Sequence, residues 1–221
     1  MNHHLTELSE RSGPQLPLNH IQYLESLKAE GFEPKVIYDI GSCVLHWTHE
    51  AQKVWPRAKI ILFDAFDRAQ FLYKGFDYFI GVLGDVDDKI VKFYQNDQLP
   101  GGNSYYRETF MDGRFFPLDA YTEMTMHRLD TVVNKMEFPY PDLVKIDVQG
   151  SELDVIRGGQ HVLSHATRMI VEMQHVQYNE GAPLVTDVLP CIESMGWKCD
   201  AKRFCEAQFD ADYGFVRCTK V

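Results

Sequence analysis

Four aspartates close short apolar runs: Asp39 in Val36-Ile37-Tyr38-Asp39-Ile40, Asp64 after Lys59-Ile60-Ile61-Leu62-Phe63, Asp85 after Phe79 to Leu83, and Asp147 after Leu143-Val144-Lys145-Ile146. If these runs are strands of one open parallel sheet, their carboxyl ends share the rim where ligands bind in such sheets. An acid ending the second strand is placed to accept hydrogen bonds from both hydroxyls of a ribose. Gly41 lets the first turn approach a ligand closely. That turn, Gly41-Ser42-Cys43-Val44-Leu45-His46, holds one glycine and lacks the G-x-G-x-x-G pattern that cradles a pyrophosphate. An acid-rich rim without an anion cradle suits S-adenosylmethionine, with its ribose, adenine, amino-acid end and positively charged sulfur. The chemistry expected is methyl transfer.

In-line transfer of a methyl group to a hydroxyl depends on holding the acceptor oxygen near the methyl and giving its proton somewhere to go. His175, which follows the apolar run ending at Glu172, is the expected general base on the same rim. Asp147 and Glu172 end neighbouring strands, so either their pKa values separate or they bind a divalent cation; no compact His/Asp/Glu spacing announces a metal, and none is expected. The loop Gly101-Gly102-Asn103-Ser104-Tyr105-Tyr106-Arg107-Glu108 mixes amide, hydroxyl, aromatic and charged groups, as a hydroxyl-rich acceptor requires. Asn103, Ser104, Tyr105 and Arg107, with Tyr178 beyond His175, are the expected acceptor contacts. Lys145, inside an apolar run, is expected to be paired, and Trp47, His46 and His49 to be packing or surface residues.

These side chains need a sheet to position them. The 221 residues include 45% hydrophobic and 24% charged, which is globular composition and enough for one domain with a buried core. Leu18, Ile21, Leu24 and Leu27 predict an amphipathic opening helix, so the chain divides into an N-terminal tail and helix over 1–33 and a single domain over 34–221. Strands are expected at 36–41, 59–64, 79–83, 91–94, 142–148 and 168–172, with two closing strands at 197–199 and 214–218. Helices are expected at 48–54, after Leu153, and from a Thr186-Asp187 cap to Ile192. This alternation predicts an α/β fold, a doubly wound, mostly parallel seven-stranded sheet whose last strand is antiparallel. The stretch from Gln95 to Thr125 has little periodicity and is expected to form loops and short strands above the sheet.

The segment Pro141-Asp142-Leu143-Val144-Lys145-Ile146-Asp147-Val148-Gln149-Gly150-Ser151-Glu152-Leu153 resembles the signature of FkbM-type methyltransferases. The resemblance extends to Tyr38-Asp39-Ile40-Gly41, Phe63-Asp64, Arg128-Leu129-Asp130 and Val171-Glu172. Gln149 stands where that family commonly has Glu, and Leu45 where its first turn usually carries a second glycine. The resemblance implies a Rossmann-like class I O-methyltransferase that uses S-adenosylmethionine on sugar or polyketide hydroxyls. It implies that Asp39 and Gly41 line the methionine end, Asp64 with Ala65 the ribose, Asp85 the adenine amine, and Asp147 the methionine amine or the acceptor, with Ser42 and Thr48 in support.

The formal charge of −10 disfavours electrostatic binding to nucleic acid or anionic lipid. No apolar run approaches the roughly 20 residues a spanning helix needs. Five cysteines without a paired spacing suggest free thiols in a reducing, cytoplasmic setting. His3 and His4 read as part of a mobile polar terminus rather than metal ligands. Partners expected are a small-molecule or glycan acceptor and, with an amphipathic helix exposed, a second copy in a homodimer. Two other functions fit less of the pattern: a nicotinamide-dependent oxidoreductase, which needs the missing pyrophosphate cradle, and a cofactor-binding scaffold without turnover.

Overall fold

The computed structural model describes residues 2–10 and 17–218. His3–Ser9 forms a short helix, α1, rather than a mobile terminus, because Leu5 is drawn fully into the core. The helix α2 (Leu18–Ala29) buries Leu24 and Leu27 as its periodicity predicts, while Leu18 stays exposed and His20 is buried in its place.

The strands β1 (Val36–Ile40) and β2 (Lys59–Asp64) flank α3 (His46–Val54) and pair in parallel, a βαβ unit. The expected third strand breaks at Gly81. β3 (Asp77–Ile80) pairs with β2, whereas β4 (Val82–Gly84) leaves for a second sheet with β5 (Ile90–Phe93) and β6 (Thr122–Arg128). A helical turn, α4 (Phe110–Gly113), lies in the long connection between β5 and β6. Then follow α5 (Leu129–Met136), β7 (Leu143–Ile146), α6 (Glu152–Gly158), α7 (Gln160–Leu163) and β8 (Arg168–Gln174). The helix α8 (Val185–Ser194) is capped at Leu184, whose N–H reaches Asp187, so the start falls two residues before the expected Thr186. The closing pair is longer than its apolar cores suggest: β9 (Trp197–Glu206) and β10 (Asp210–Arg217) bring polar ends into the sheet.

The main sheet runs β3-β2-β1-β7-β8-β10-β9, with β10 antiparallel to both of its neighbours. This is the doubly wound, mostly parallel arrangement expected. One face packs Val144, Ile146, Val171 and Phe215 against α5 to α8; the other packs Ile37, Leu62, Leu143 and Ile170 against α1 to α3. The three-stranded sheet is pressed onto α6, where a side chain at Gly158 would run into the Gly84 carbonyl. Gly158 thereby lets β4 sit close enough to roof the rim of the main sheet.

Candidate functional site

The order of the strands reverses at β1 and β7, and the first turn rises from the rim between them. Gly41 holds φ +88°, and a Cβ there would overlap the carbonyl oxygen of Asp147. Only glycine lets the turn lie flat against the end of β7. The Gly41 N–H donates to the Phe63 carbonyl at 2.8 Å, tying the turn to β2. Tyr73 Oη donates to the Cys43 carbonyl at 2.8 Å and fixes the turn's outer side.

Two cavities open on this rim. The first is walled by Gly41, Cys43, Asp64, Ala65, Gly81, Val82, Leu83, Asn103, Ser104, Tyr105 and Asp147, among others. Among the described residues its lining has two carboxylates, no Lys and no Arg. Asp64 accepts the Cys43 N–H at 2.6 Å and the Phe66 N–H at 2.7 Å, so its carboxyl is locked in place with lone pairs to spare. Burial pushes its pKa up against those two donors. The amide Nδ2 of Asn103 is buried without a partner among the described residues, a donor held ready for a ligand.

The second cavity lies across the turn, lined by residues that include His20, Lys145, Asp147, Glu172, Asp210 and Asp212. Gly41, Cys43, Gly101 and Asp147 line both cavities, so the two meet there under the Gly101 loop. The register explains the acids. Ile146 pairs with Val171, which sets Asp147 level with Glu172, and Glu172 pairs with Asp212 on β10. Side chains level across adjacent strands share a face, so three carboxyls form one row.

Within the row, Lys145 Nζ lies 2.7 Å from Asp147 Oδ2. Gln149 Nε2 donates to Asp147 Oδ1 at 2.8 Å and to Glu172 Oε2 at 2.7 Å. Burial raises the Asp147 pKa, but the Lys145 ammonium and these hydrogen bonds outweigh it and hold the carboxyl below its ordinary value. Burial, then the charges of Asp147, Asp210 and Asp212, push Glu172 well above the usual carboxylate range. The two shifts run in opposite directions, so Asp147 gives up its proton at lower pH than Glu172 does.

The expected site residues divide accordingly. Asp64, Ala65, Gly41, Asp147, Asn103, Ser104 and Tyr105 line the first cavity, and Ser42, Asp147 and Glu172 the second. Asp39 stands behind the turn instead of on its wall: its carboxyl accepts the Thr48 hydroxyl, both side chains are buried, and burial pushes its pKa up to about 6. Asp85 follows β4 into the second sheet and lines neither cavity. Arg107 turns away to pair with Glu180, at 3.1 Å. Tyr178 Oη lies 2.7 Å from Asp210 Oδ2 and 3.1 Å from Gln149 Oε1. His175 lies outside both linings, with Nε2 3.1 Å from Tyr213 Oη, and burial followed by Arg203 lowers its pKa. Sequence reasoning missed His20, Asp210 and Asp212, which are distant in the chain, and Cys43, whose φ of +46° no local pattern signals.

The chain matches the Methyltransferase FkbM domain over residues 38–199. It belongs to the FkbM methyltransferase family. No curated protein matches it. Among solved structures it is similar to the O-methyltransferase TomG from Streptomyces achromogenes, with 9% identity, 100% of this chain and 91% of that one covered, and a TM-score of 0.51. Others are precorrin-6y C5,15-methyltransferase from Geobacter metallireducens GS-15, at 12% identity, 94% and 93% coverage and a TM-score of 0.47, and magnesium protoporphyrin IX methyltransferase from Synechocystis PCC 6803, at 14%, 96% and 89%, and 0.46. At this identity the likeness to TomG shows the fold alone, the Rossmann-like class I fold. The cofactor of this FkbM methyltransferase is S-adenosylmethionine, and the first cavity fits it: Asp64 suits a ribose, Val82 and Leu83 offer an apolar wall, and the lining lacks the cationic groups a phosphate would want.

Proposed function

We propose that this chain is an O-methyltransferase acting on a hydroxyl of a sugar, glycan or glycosylated or polyketide metabolite, with the cofactor in the first cavity and the acceptor in the second. The observation that carries this reading is the junction of the two cavities at Gly41, Cys43, Gly101 and Asp147. When bound, S-adenosylmethionine supplies an electrophilic methyl group for in-line transfer to the acceptor oxygen. Asp64 and the Asn103 amide hold the cofactor's polar groups, and the Gly101 loop roofs the junction. Asp147 accepts the hydrogen bond of the acceptor hydroxyl there. With Glu172 deprotonated, the Asp147–Glu172 pair takes up the proton, which returns it to the one-proton state. The pair, rather than His175, is the base in this reading because Asp147 borders both cavities and His175 borders neither.

The test is binding of S-adenosylmethionine by calorimetry, followed by transfer of a labelled methyl group to a panel of sugars and glycosylated natural products. Cofactor binding with label in an O-methyl product supports the proposal. Lack of cofactor binding, or label recovered on nitrogen or carbon alone, overturns it.

A further inference from the structure

The second cavity has a charge balance that a neutral polyol does not require. Asp147, Glu172, Asp210 and Asp212 all line it, and among the described residues the only Lys or Arg of its lining is Lys145. That ammonium is already committed to Asp147, at 2.7 Å. Glu172 is quietened by the Gln149 amide and Asp210 by the Tyr178 hydroxyl.

Asp212 is different. It is 7% exposed, one oxygen (Oδ2) lies 3.1 Å from His20 Nδ1, and the other (Oδ1) is buried with no partner of full hydrogen-bond geometry among the described residues, the Cys205 thiol beside the carboxyl being only a weak donor. Leaving such an oxygen without a donor is costly, so it asks for a donor from a ligand. Trp47 Nε1–H donates to His20 Nε2 at 2.8 Å, so the neutral imidazole carries its proton on Nδ1 and donates it to Asp212. This tautomer also weighs against a metal. His20, Cys205 and Asp212 bring ligand atoms within 4.8 Å of one another, but a cation on Nδ1 would need that nitrogen stripped of its proton while Nε2 is already accepting from Trp47.

We propose that the second cavity recognises a positively charged amino group on the acceptor, with Asp212 as its counter-ion, so that the preferred acceptor is a polyhydroxylated amine of the amino-sugar type. The proposal rests on the methyltransferase reading above. Asp212 lies two strands from Asp147, on the order of 10 Å between backbones, so the amine docks at one end of the cavity while a hydroxyl meets Asp147 at the junction. Charge-assisted N–H···O bonds to a buried carboxylate are the strong kind and set the orientation of the ring.

The experiment is calorimetry on the full chain saturated with S-adenosylhomocysteine. It uses glucosamine, 2-deoxystreptamine and the chitosan dimer as probes, each against its N-acetylated form. The free amine is expected to bind about tenfold or more tighter than its acetylated partner, with the gap narrowing at high salt. The preference disappears in Asp212→Asn, which keeps an oxygen for the His20 proton, and shrinks in Asp210→Asn, while Asp212→Asn binds S-adenosylmethionine within twofold of the parent. Equal or tighter binding of the acetylated forms, no binding of any probe, or a preference that survives Asp212→Asn overturns the proposal. So does a loss of S-adenosylmethionine affinity in Asp212→Asn, which would make the acid a holder of the cofactor's own amino end. Failure of the parent chain to bind S-adenosylmethionine sinks the methyltransferase reading instead, so the two failures are distinct.

Discussion

Replacing Gly41 by alanine strikes the point where the two cavities, β1 and β7 all meet. The new Cβ would overlap the Asp147 carbonyl oxygen and stand 2.8 Å from its carbon, closer than a packed methyl group is found. Two costs follow. The backbone at φ +88° lies in the left-handed region, worth about 1 to 2 kcal/mol against an L side chain. Relieving the overlap means parting the ends of β1 and β7, where the Asp147 N–H donates to the Ile40 carbonyl at 2.9 Å, and a buried bond of that kind contributes about 0.5 to 1.5 kcal/mol. Together these destabilise Gly41→Ala by about 2 to 3 kcal/mol, a fall in Tm of about 5 to 10 °C for a chain of this length. Because the turn moves, S-adenosylmethionine affinity falls along with stability: calorimetry should find binding weakened at least tenfold, about 1.4 kcal/mol, in protein still fully folded at 20 °C. A variant with Tm within 2 °C of the parent and undiminished cofactor affinity would refute the close-approach argument.

Burial and neighbouring charges raise the Glu172 pKa, so if its ionised form is the base, kcat/KM rises with pH through a single ionisation above the ordinary carboxylate range; Glu172→Gln should flatten that limb and lower the plateau about 100-fold or more. Asp64→Asn keeps an oxygen for one backbone N–H but removes the charge, and should weaken S-adenosylmethionine about tenfold with little change in kcat, as read by calorimetry and initial rates. Glu152 is buried between the Val148 and Gly150 N–H groups, and burial pushes its pKa from 4.5 to about 7. Its contribution is therefore full below about pH 4.5 and lost as pH rises through about 7, so urea midpoints should show a downward slope across that window that is shallower in Glu152→Gln.

The strand-end pattern located Gly41, Asp64 and Asp147 because a strand, its last acid and the following turn are neighbours in sequence. It overreached for Asp39 and Asp85. Asp39 sits one residue short of the end of β1, level with Lys145 rather than with the rim, and α3 covers it with Thr48. Asp85 belonged to the rim only while 79–83 was one strand; Gly81 ends β3, and pairing with β6 carries β4 away. His175 failed to reach the cavities for a similar reason: three residues beyond Glu172, it has left the row and its N–H is taken by the Phe209 carbonyl at 2.7 Å. The acids on β10 were illegible locally, since Asp212 earns its place by pairing with Glu172 and its partner His20 lies 192 positions away. Such contacts depend on how the sheet closes, which no window of sequence encodes.

Gln149 ties these observations together. In the sequence it reads as the loss of an acid, since an FkbM signature commonly has Glu at that place. In the structure its φ of +54° turns the side chain back over the rim, where the two hydrogens of one amide nitrogen meet Asp147 and Glu172. A carboxylate there would add a third negative charge at hydrogen-bond distance from two others, and like charges so close cannot all stay ionised. The amide instead brings two donors and no charge. Asp147 then ionises first, beside Lys145, and Glu172 follows at higher pH, the ionisation that readies the pair to act as a base near the junction. Through its own oxygen, 3.1 Å from Tyr178 Oη, the same amide reaches toward Asp210 and the acids of the acceptor cavity. One residue that departs from the family pattern thus sets the protonation of the pair and links it to the wall that selects the acceptor.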